Sequence, residues 1–137
     1  MGSNLGNKAQ NLKKSIFAIK QDIGRIIAES SIYENEAVGF KGNSFFNQVI
    51  KVETVLSPEN LLQKTQVIEK KIGRKQKTVK KNGNPFYKNR IIDIDILLYD
   101  DLQINTETLT IPHPKMHERE FVMKPLFEII FFHDNEI

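Results

Sequence analysis

Two segments of the chain carry core-type residues at intervals of three or four, which is the spacing of one helix face. The first set is Leu12, Ile16, Ile19 and Ile23, and the second is Leu61, Thr65, Ile68 and Ile72. Asn7 is a suitable N-cap for the first helix, and Gly24 a suitable stop. Ser57-Pro58 supplies an N-cap and a first-turn proline for the second helix, which we expect to end at Gly73.

Three other segments have the composition of β-strands. Residues 26–33 and 45–55 are rich in β-branched residues and bounded by turn formers, so we predict two strands that are antiparallel neighbours. Residues 91–99, from Ile91 to Tyr99, predict a third strand in the same way. Between the second helix and this strand, residues 74–89 show no periodicity, and loops of that length are usually functional or disordered.

The last third of the chain is more irregular. Asp100-Asp101 predicts a turn, and residues 102–104 and 109–111 are candidates for short strands. Pro112-His113-Pro114 interrupts regular structure, and residues 118–130 have a helical pattern apart from Pro125.

The resulting order of helix, strand, strand, helix and strand indicates an α+β fold. It matches the ferredoxin-like β-α-β-β-α-β pattern, an antiparallel sheet with helices packed on it, with the first strand missing. A length of 137 residues, of which 39% are hydrophobic, is typical of one domain, so we expect a single domain over residues 1–137.

Composition excludes several classes of protein. The chain has no Cys, which rules out disulfide scaffolds, zinc-thiolate sites and cysteine nucleophiles, and favours a reducing, cytoplasmic location. No signal peptide pattern and no membrane-spanning apolar stretch is visible in the sequence. The formal net charge is only +3, but one stretch holds nine cations and no acid: Lys70, Lys71, Arg74, Lys75, Lys77, Lys80, Lys81, Lys88 and Arg90. A polyanionic ligand or a solvated surface loop would both account for this stretch.

The third predicted strand carries a pair of acidic residues. Alternation along a strand places Asp93 and Asp95 on one side, roughly 7 Å apart at Cα, and apolar side chains on the other. Carboxylates held this close repel each other unless a cation lies between them, and Mg²⁺ prefers such oxygen ligands. A polar strand face neutralised by lysines is the alternative.

A basic loop directly before this acidic pair suggests phosphoryl transfer, because metal carboxylates and cations must surround the same phosphate chain. The chain contains no P-loop, no kinase glycine loop and no dinucleotide-binding glycine motif, and its three His residues lack metal-ligand spacing.

Several segments together resemble the hydroxymethyldihydropterin pyrophosphokinase family, in order and spacing, over essentially the whole chain. They are Gly2-Ser3-Asn4-Leu5-Gly6, Phe45-Phe46-Asn47, Gln66 and Glu69 before Gly73-Arg74, Arg90 to Asp95, and Pro112-His113-Pro114 followed by Arg119 and Phe121. The resemblance implies diphosphate transfer from ATP to 6-hydroxymethyl-7,8-dihydropterin in folate biosynthesis, with AMP as the second product.

The resemblance also implies a role for each matching residue. Asp93 and Asp95 would bind two Mg²⁺ ions, and Arg90, Arg74 and Lys77 would complete the catalytic set. The pterin-binding residues would be Phe45, Asn47, Phe121, Val38 and Gly39. The ATP-binding residues would be Leu62, Gln66, Glu69, Ile96, Thr110, His113 and Arg119. Plain core packing is the alternative role for the two Phe residues, and a turn residue is the alternative for His113.

The chain departs from the family pattern at several places. Family members begin with a strand that leads into the Gly-Ser-Asn segment, whereas Met1 directly precedes Gly2, so we expect the first strand to be truncated or donated by another chain. We expect a monomer, and because of the missing strand a strand-exchanged oligomer is the alternative. Phe45 replaces the usual Tyr, Gln76 and Thr108 stand where Arg is common, and Tyr87 lies near the usual Trp. Residues 130–137 do not follow the family's ending.

Two other functions compete with the pyrophosphokinase hypothesis. An RNA-binding module would also combine a ferredoxin-like sheet with aromatics and basic loops, but it predicts no carboxylate pair on its binding face. We therefore expect neither nucleic acid nor a membrane as a partner. An inactive, truncated family member is the second alternative.

Overall fold

The computed structural model describes residues 1–36, 44–73 and 91–134, the last four of these without their side chains. Within these residues the chain mixes helices with antiparallel strands, which confirms the predicted α+β class. None of the helices in the described ranges is long and apolar enough to cross a membrane.

Both helices predicted from periodicity are present. Helix α1 spans Lys8–Asp22, and the Asn7 side chain caps it by accepting a hydrogen bond of 3.1 Å from the Gln10 N–H. Helix α2 spans Pro58–Ile72, with Ser57 as its N-cap and Gly73 as its C-cap. A Cβ atom on Gly73 would lie 2.4 Å from the Ile91 Cβ, so this glycine lets the chain at residue 91 pack closely on the end of α2.

Within the described ranges the strands form three small antiparallel sheets. In chain order they are β1 (Gly2–Ser3), β2 (Gly24–Glu29), β3 (Tyr33–Asn35), β4 (Phe45–Asn47), β5 (Ile50–Thr54), β6 (Ile104–Asn105) and β7 (Thr110–Ile111). The sheet orders are β1-β4-β3, β2-β5 and β6-β7. The predicted antiparallel pairing of residues 26–33 with residues 45–55 is confirmed, and the predicted short strands are present as β6 and β7.

Each of the two long predicted strands is interrupted once. At these breaks, the Ser30 N–H donates to the Val49 carbonyl, and the Ser30 Oγ accepts from the Val49 N–H. The Gln48 side-chain amide donates to the Ser30 carbonyl over 2.8 Å. At this break the Ser30 and Gln48 side chains bond to backbone groups that would otherwise pair between strands. The break divides the predicted strand pair into β2-β5 and β3-β4.

The prediction of a regular strand over residues 91–99 is wrong. The segment is extended, but with the rest of the described chain it forms only one isolated bridge, in which Gly2 and Asp93 exchange backbone hydrogen bonds of 2.9 and 2.8 Å. Two further backbone groups have other partners: the Ile94 N–H donates to the Glu69 carboxylate, and the Leu97 carbonyl accepts from the His113 N–H. The segment therefore has the composition of a strand, but the Glu69 side chain and the His113 backbone bond to groups that a neighbouring strand would otherwise pair with.

Helix α3 spans Glu120–Asp134 and follows a 3₁₀ turn at Met116–Glu118. The helical prediction for this region is confirmed, but the exception expected at Pro125 is wrong, because the helix continues through this buried residue. The predicted turn at residues 100–101 is also present, with Asp100 in the left-handed region at φ 52°.

Two apolar clusters form the core. The first joins α1, α2 and the extended segment through residues such as Leu12, Ile19, Ile68 and Ile92. The second joins α3 to Val49 and Leu97. The extended segment contributes Ile92 and Ile94 to the first cluster and Leu97 to the second, and its residues Asp93, Asp95 and Leu97 line a cavity. The long loop predicted at residues 74–89 lies outside the described residues.

Candidate active site

One cavity in the described structure, of about 580 Å³, lies between β1, β4, the extended segment and the beginning of α3. Six of the residues predicted for function line it: Phe45, Asn47, Asp93, Asp95, Arg119 and Phe121. These residues are up to 76 positions apart in the sequence (121 minus 45), and only the fold brings them to one surface.

The acidic pair faces the cavity as the alternation of the sequence predicts. Ile92 and Ile94 are buried in the core, at 1% and 9% exposure, whereas Asp93 is half-buried and Asp95 is exposed. In the described ranges no group of three or more His, Cys, Asp or Glu side chains has a geometry that could hold a metal ion. The acidic pair therefore offers two carboxylates, and further ligands of a metal would come from water or substrate.

Glu69 supports this pair from helix α2. Its carboxylate is buried, at 7% exposure, and Oε2 accepts a hydrogen bond of 2.7 Å from the Ile94 N–H. Ile94 stands between the two aspartates, so this bond ties the backbone that carries both of them to the helix. Glu69 does not line the cavity.

Carboxylates make the electrostatic potential negative at the end of the cavity next to Met1. Burial lowers the pKa of the Met1 α-ammonium group below its usual value, while the Asp95, Asp93 and Glu69 carboxylates oppose that shift. The Met1 nitrogen donates to the Gln48 carbonyl over 2.9 Å, next to the β1-β4 pair. The two aspartates line this end of the cavity, whereas Glu69 acts on it from outside.

Two aromatic rings also line the cavity. Phe45 and Asn47 point into the cavity, and the intervening Phe46 packs against the first core cluster, as expected for successive residues of a strand. Phe121 lies in the first turn of α3, with the Arg119 guanidinium carbon 5.8 Å from its ring centroid. The cavity therefore offers two rings, an amide and a cation next to the carboxylates.

The Asn47 amide is held in a defined orientation. Its nitrogen donates to the Tyr33 carbonyl over 3.3 Å and makes a short hydrogen bond to the Asn35 side-chain oxygen. The Asn47 Oδ1 atom lies beside Gly2, where an added Cβ would approach it to 3.2 Å. Gly2 therefore leaves room for this oxygen at the cavity wall.

Most residues predicted to bind ATP lie elsewhere. Leu62, Gln66, Glu69, Ile96, Thr110 and His113 do not line this cavity. His113 is nevertheless attached to its wall, because the His113 N–H donates to the Leu97 carbonyl over 3.0 Å. The His113 Nδ1 atom accepts from the Lys115 N–H over 3.2 Å, so Nε2 carries the proton when the ring is neutral. Of the residues in the predicted site, Arg74, Lys77, Arg90, Val38 and Gly39 lie outside the described residues.

Other lining residues were not predicted. They include Gly2, Asn35, Gln48, Val49, Leu97 and Lys115. Leu97 could have been found, because it follows Asp93 and Asp95 by the same two-residue step. The sequence carries no signal for Gln48, whose position depends on the break between β4 and β5.

Comparison with known proteins identifies the chain's relatives. The family model described as 7,8-dihydro-6-hydroxymethylpterin-pyrophosphokinase (HPPK) matches residues 1–131. The folic acid synthesis protein fol1 of Pneumocystis carinii is 41% identical over 130 residues, which are 94% of this chain but 17% of that protein. The 2-amino-4-hydroxy-6-hydroxymethyldihydropteridine pyrophosphokinases of Porphyromonas gingivalis and Aquifex aeolicus are 37% and 39% identical, over 94% of this chain and 86% and 76% of theirs. The chain belongs to the HPPK family.

Proposed function

We propose that this protein transfers a diphosphate group from ATP to the hydroxymethyl group of 6-hydroxymethyl-7,8-dihydropterin, giving AMP and the pterin diphosphate, in folate biosynthesis. Membership of the HPPK family and the names of the bacterial relatives support the activity. The observation that carries the proposal is the cavity, which is lined by two carboxylates, two aromatic rings and an oriented amide.

Mg²⁺ fits the donor set at Asp93 and Asp95. Both side chains supply hard oxygen ligands, and a pair of carboxylates leaves coordination positions for phosphate oxygens and water. We propose that these residues hold two Mg²⁺ ions, which when bound would neutralise charge on the triphosphate and make the β-phosphorus more electrophilic. Without such cations, the negative charges of Asp93 and Asp95 would repel the triphosphate of ATP.

The pterin ring would enter between Phe45 and Phe121. Flat heterocycles stack on aromatic faces, and stacking does not require the hydroxyl that Phe45 lacks. The Asn47 oxygen at the cavity wall would accept a hydrogen bond from the ring edge. Val38 and Gly39 belong to the proposed pterin site through the family resemblance.

In the proposed reaction, the pterin hydroxymethyl oxygen attacks the β-phosphorus of ATP. An oxygen–phosphorus bond forms, the bond from the β-phosphorus to the α,β-bridging oxygen breaks, and AMP leaves with that oxygen. The hydroxyl proton passes to solvent. Arg119, at the cavity, would bind transferring phosphate together with Arg74, Lys77 and Arg90. His113 would donate its Nε2 proton to a phosphate oxygen, and Leu62, Gln66, Glu69, Ile96 and Thr110 would accommodate the nucleoside.

Further features belong to the same proposal. The helices packed against antiparallel strands support a ferredoxin-like arrangement in a single domain over residues 1–137. A monomer in the cytoplasm, with ATP and the pterin as its partners, is the form that we propose. The expected loss of a first strand stays a prediction.

The test is AMP release from ATP, measured with and without the pterin, first in Mg²⁺ and then in excess EDTA. We expect AMP only when both pterin and Mg²⁺ are present. Asp95→Asn should lower kcat by about 10²–10³-fold, the scale of losing one electrostatic element of an active site. Asp101→Asn, in the nearby turn, is the matched control and should leave kcat unchanged. Absence of pterin-dependent AMP formation from the folded protein would refute the proposal, and RNA binding without turnover would favour the RNA-binding alternative.

A further inference from the structure

A carboxylate outside the cavity connects helix α3 to strand β3. Glu128 accepts hydrogen bonds from the Ser31 N–H (3.0 Å to Oε2), the Ser31 hydroxyl (3.0 Å to Oε2) and the Tyr33 hydroxyl (2.9 Å to Oε1). Ser31 and Glu128 are 97 residues apart in the sequence. Three donors that converge on one ionised acceptor form a stronger and more directional contact than separate neutral hydrogen bonds.

The strand end held by Glu128 is the one that orients Asn47. Tyr33 is the register partner of Asn47 across the β3-β4 pair. The Tyr33 carbonyl accepts one hydrogen bond from the Asn47 amide, and the Asn35 side chain accepts the other. Both donors of the amide are therefore fixed by β3, and the Asn47 oxygen is left at the cavity wall beside Gly2.

Helix α3 also carries Phe121, one of the two rings that line the cavity. Phe121 and Glu128 are seven residues apart, about two helical turns, so they lie on nearly the same side of α3. One end of this helix face thus meets the cavity and the other end holds β3. Glu128 is thus the polar link between this helix and β3, beside the apolar contacts of the second core cluster.

We propose that Glu128 is a positioning residue, which fixes the Asn47 oxygen and its distance from Phe121 through Ser31 and Tyr33, and so determines the affinity of the cavity for a flat heterocycle. Glu128 does not line the cavity and acts only through these residues. The identification of this heterocycle as the pterin rests on the proposed function. The raised pKa of Tyr33, caused first by its hydrogen bond to Glu128, agrees with a contact that keeps the phenol protonated.

The experiment compares Glu128→Gln with Glu120→Gln. Glu120 is the matched control, because it lies on the exposed side of the same helix and contacts only Lys124 at 3.7 Å among the described ion pairs. In Glu128→Gln we expect the KM and the directly measured Kd for the pterin to rise about three- to tenfold, because a neutral acceptor makes weaker hydrogen bonds than a charged one. The KM for ATP and kcat should change less than about twofold. Tyr33→Phe keeps the two Ser31 bonds and should give a smaller rise.

A second readout does not depend on turnover. In the ¹H–¹⁵N spectrum of the ligand-free protein, the Asn47 side-chain amide signals should shift or broaden in Glu128→Gln and not in Glu120→Gln. An unchanged Asn47 signal together with an unchanged pterin Kd would overturn the inference. Equal losses in pterin KM, ATP KM and kcat, in step with a lower melting temperature, would also overturn it, since they indicate a purely structural role. If wild-type protein neither binds pterin nor forms AMP, the proposed function fails, while the Asn47 signals still test the positioning.

Discussion

Removing the Glu69 side chain tests how the acidic pair is supported. Glu69→Ala deletes the acceptor of the Ile94 N–H, a hydrogen bond of 2.7 Å inside the core. Glu69 is 7% exposed and Ile94 is 9% exposed, so water cannot readily replace the missing carboxylate. Glu69→Gln is the conservative variant, because its amide oxygen can still accept this hydrogen bond without the charge.

The expected magnitude follows from the burial of the donor. A buried N–H without a partner costs about 1–3 kcal/mol, and the small cavity left by the side chain adds to this. We therefore expect Glu69→Ala to lower the free energy of unfolding by about 2–4 kcal/mol, or the melting temperature by roughly 6–16 °C for a domain of this size. Glu69→Gln should lose only about 1 kcal/mol, since a neutral acceptor is weaker than a charged one.

Urea unfolding followed by circular dichroism measures these differences. Gln63→Ala, an exposed substitution on the same helix, is the control and should stay within about 0.5 kcal/mol of wild type. Because Ile94 lies between Asp93 and Asp95, we also expect folded Glu69→Ala protein to lose AMP-forming activity. Wild-type stability of Glu69→Ala, or a loss in Glu69→Gln equal to that in Glu69→Ala, would refute the reasoning.

Three further predictions concern stability and pH. Ile68→Ala, at a fully buried position, should cost about 2–5 kcal/mol in urea unfolding, whereas the exposed neighbour Val67→Ala should cost less than about 0.5; similar losses would contradict the assigned core. Gly24→Ala should destabilise by at least about 1–3 kcal/mol, because its Cβ would lie 1.9 Å from the Glu53 carbonyl oxygen, and an unchanged melting temperature would contradict this close approach. The hydrogen bond to Glu128 raises the pKa of Tyr33 above 10.0. The stability that this hydrogen bond provides is therefore fully present below the pKa of the unfolded state, and it is lost as pH rises through the pKa of the folded state. Phenolate absorbance should show the pKa of Tyr33 falling in Glu128→Gln.

The strongest predictions from sequence were those carried by local chemistry. The caps at Asn7 and Ser57 satisfy helix N–H groups within three residues, so they specify the helix starts wherever the helices pack. Strand alternation likewise placed Asp93 and Asp95 opposite Ile92 and Ile94 without any knowledge of the fold. The quoted motifs were enough to identify the family, because their order and spacing lie in the sequence itself.

Strand pairing was less predictable, because the partner of a strand lies elsewhere in the chain and cannot be recognised from the residues of the strand itself. Residues 91–99 have the composition of a strand, yet the structure shows one bridge, and the Glu69 side chain occupies the Ile94 N–H. The same limit applies to the interruption at Ser30, where hydroxyl and amide side chains compete with backbone groups for hydrogen bonds.

The sequence by itself thus determined the helices, the α+β class, the acidic pair and the family. Only the tertiary structure decided which of the predicted residues share one cavity, that Glu69 lies behind the acidic pair, and that Glu128 is linked to Asn47 through β3. The physical reason is the separation in sequence between the residues that interact. Caps and side-chain alternation depend on neighbours a few residues away, whereas the cavity and its supports depend on hydrogen bonds between residues 14 to 97 positions apart, which form only when the whole chain packs.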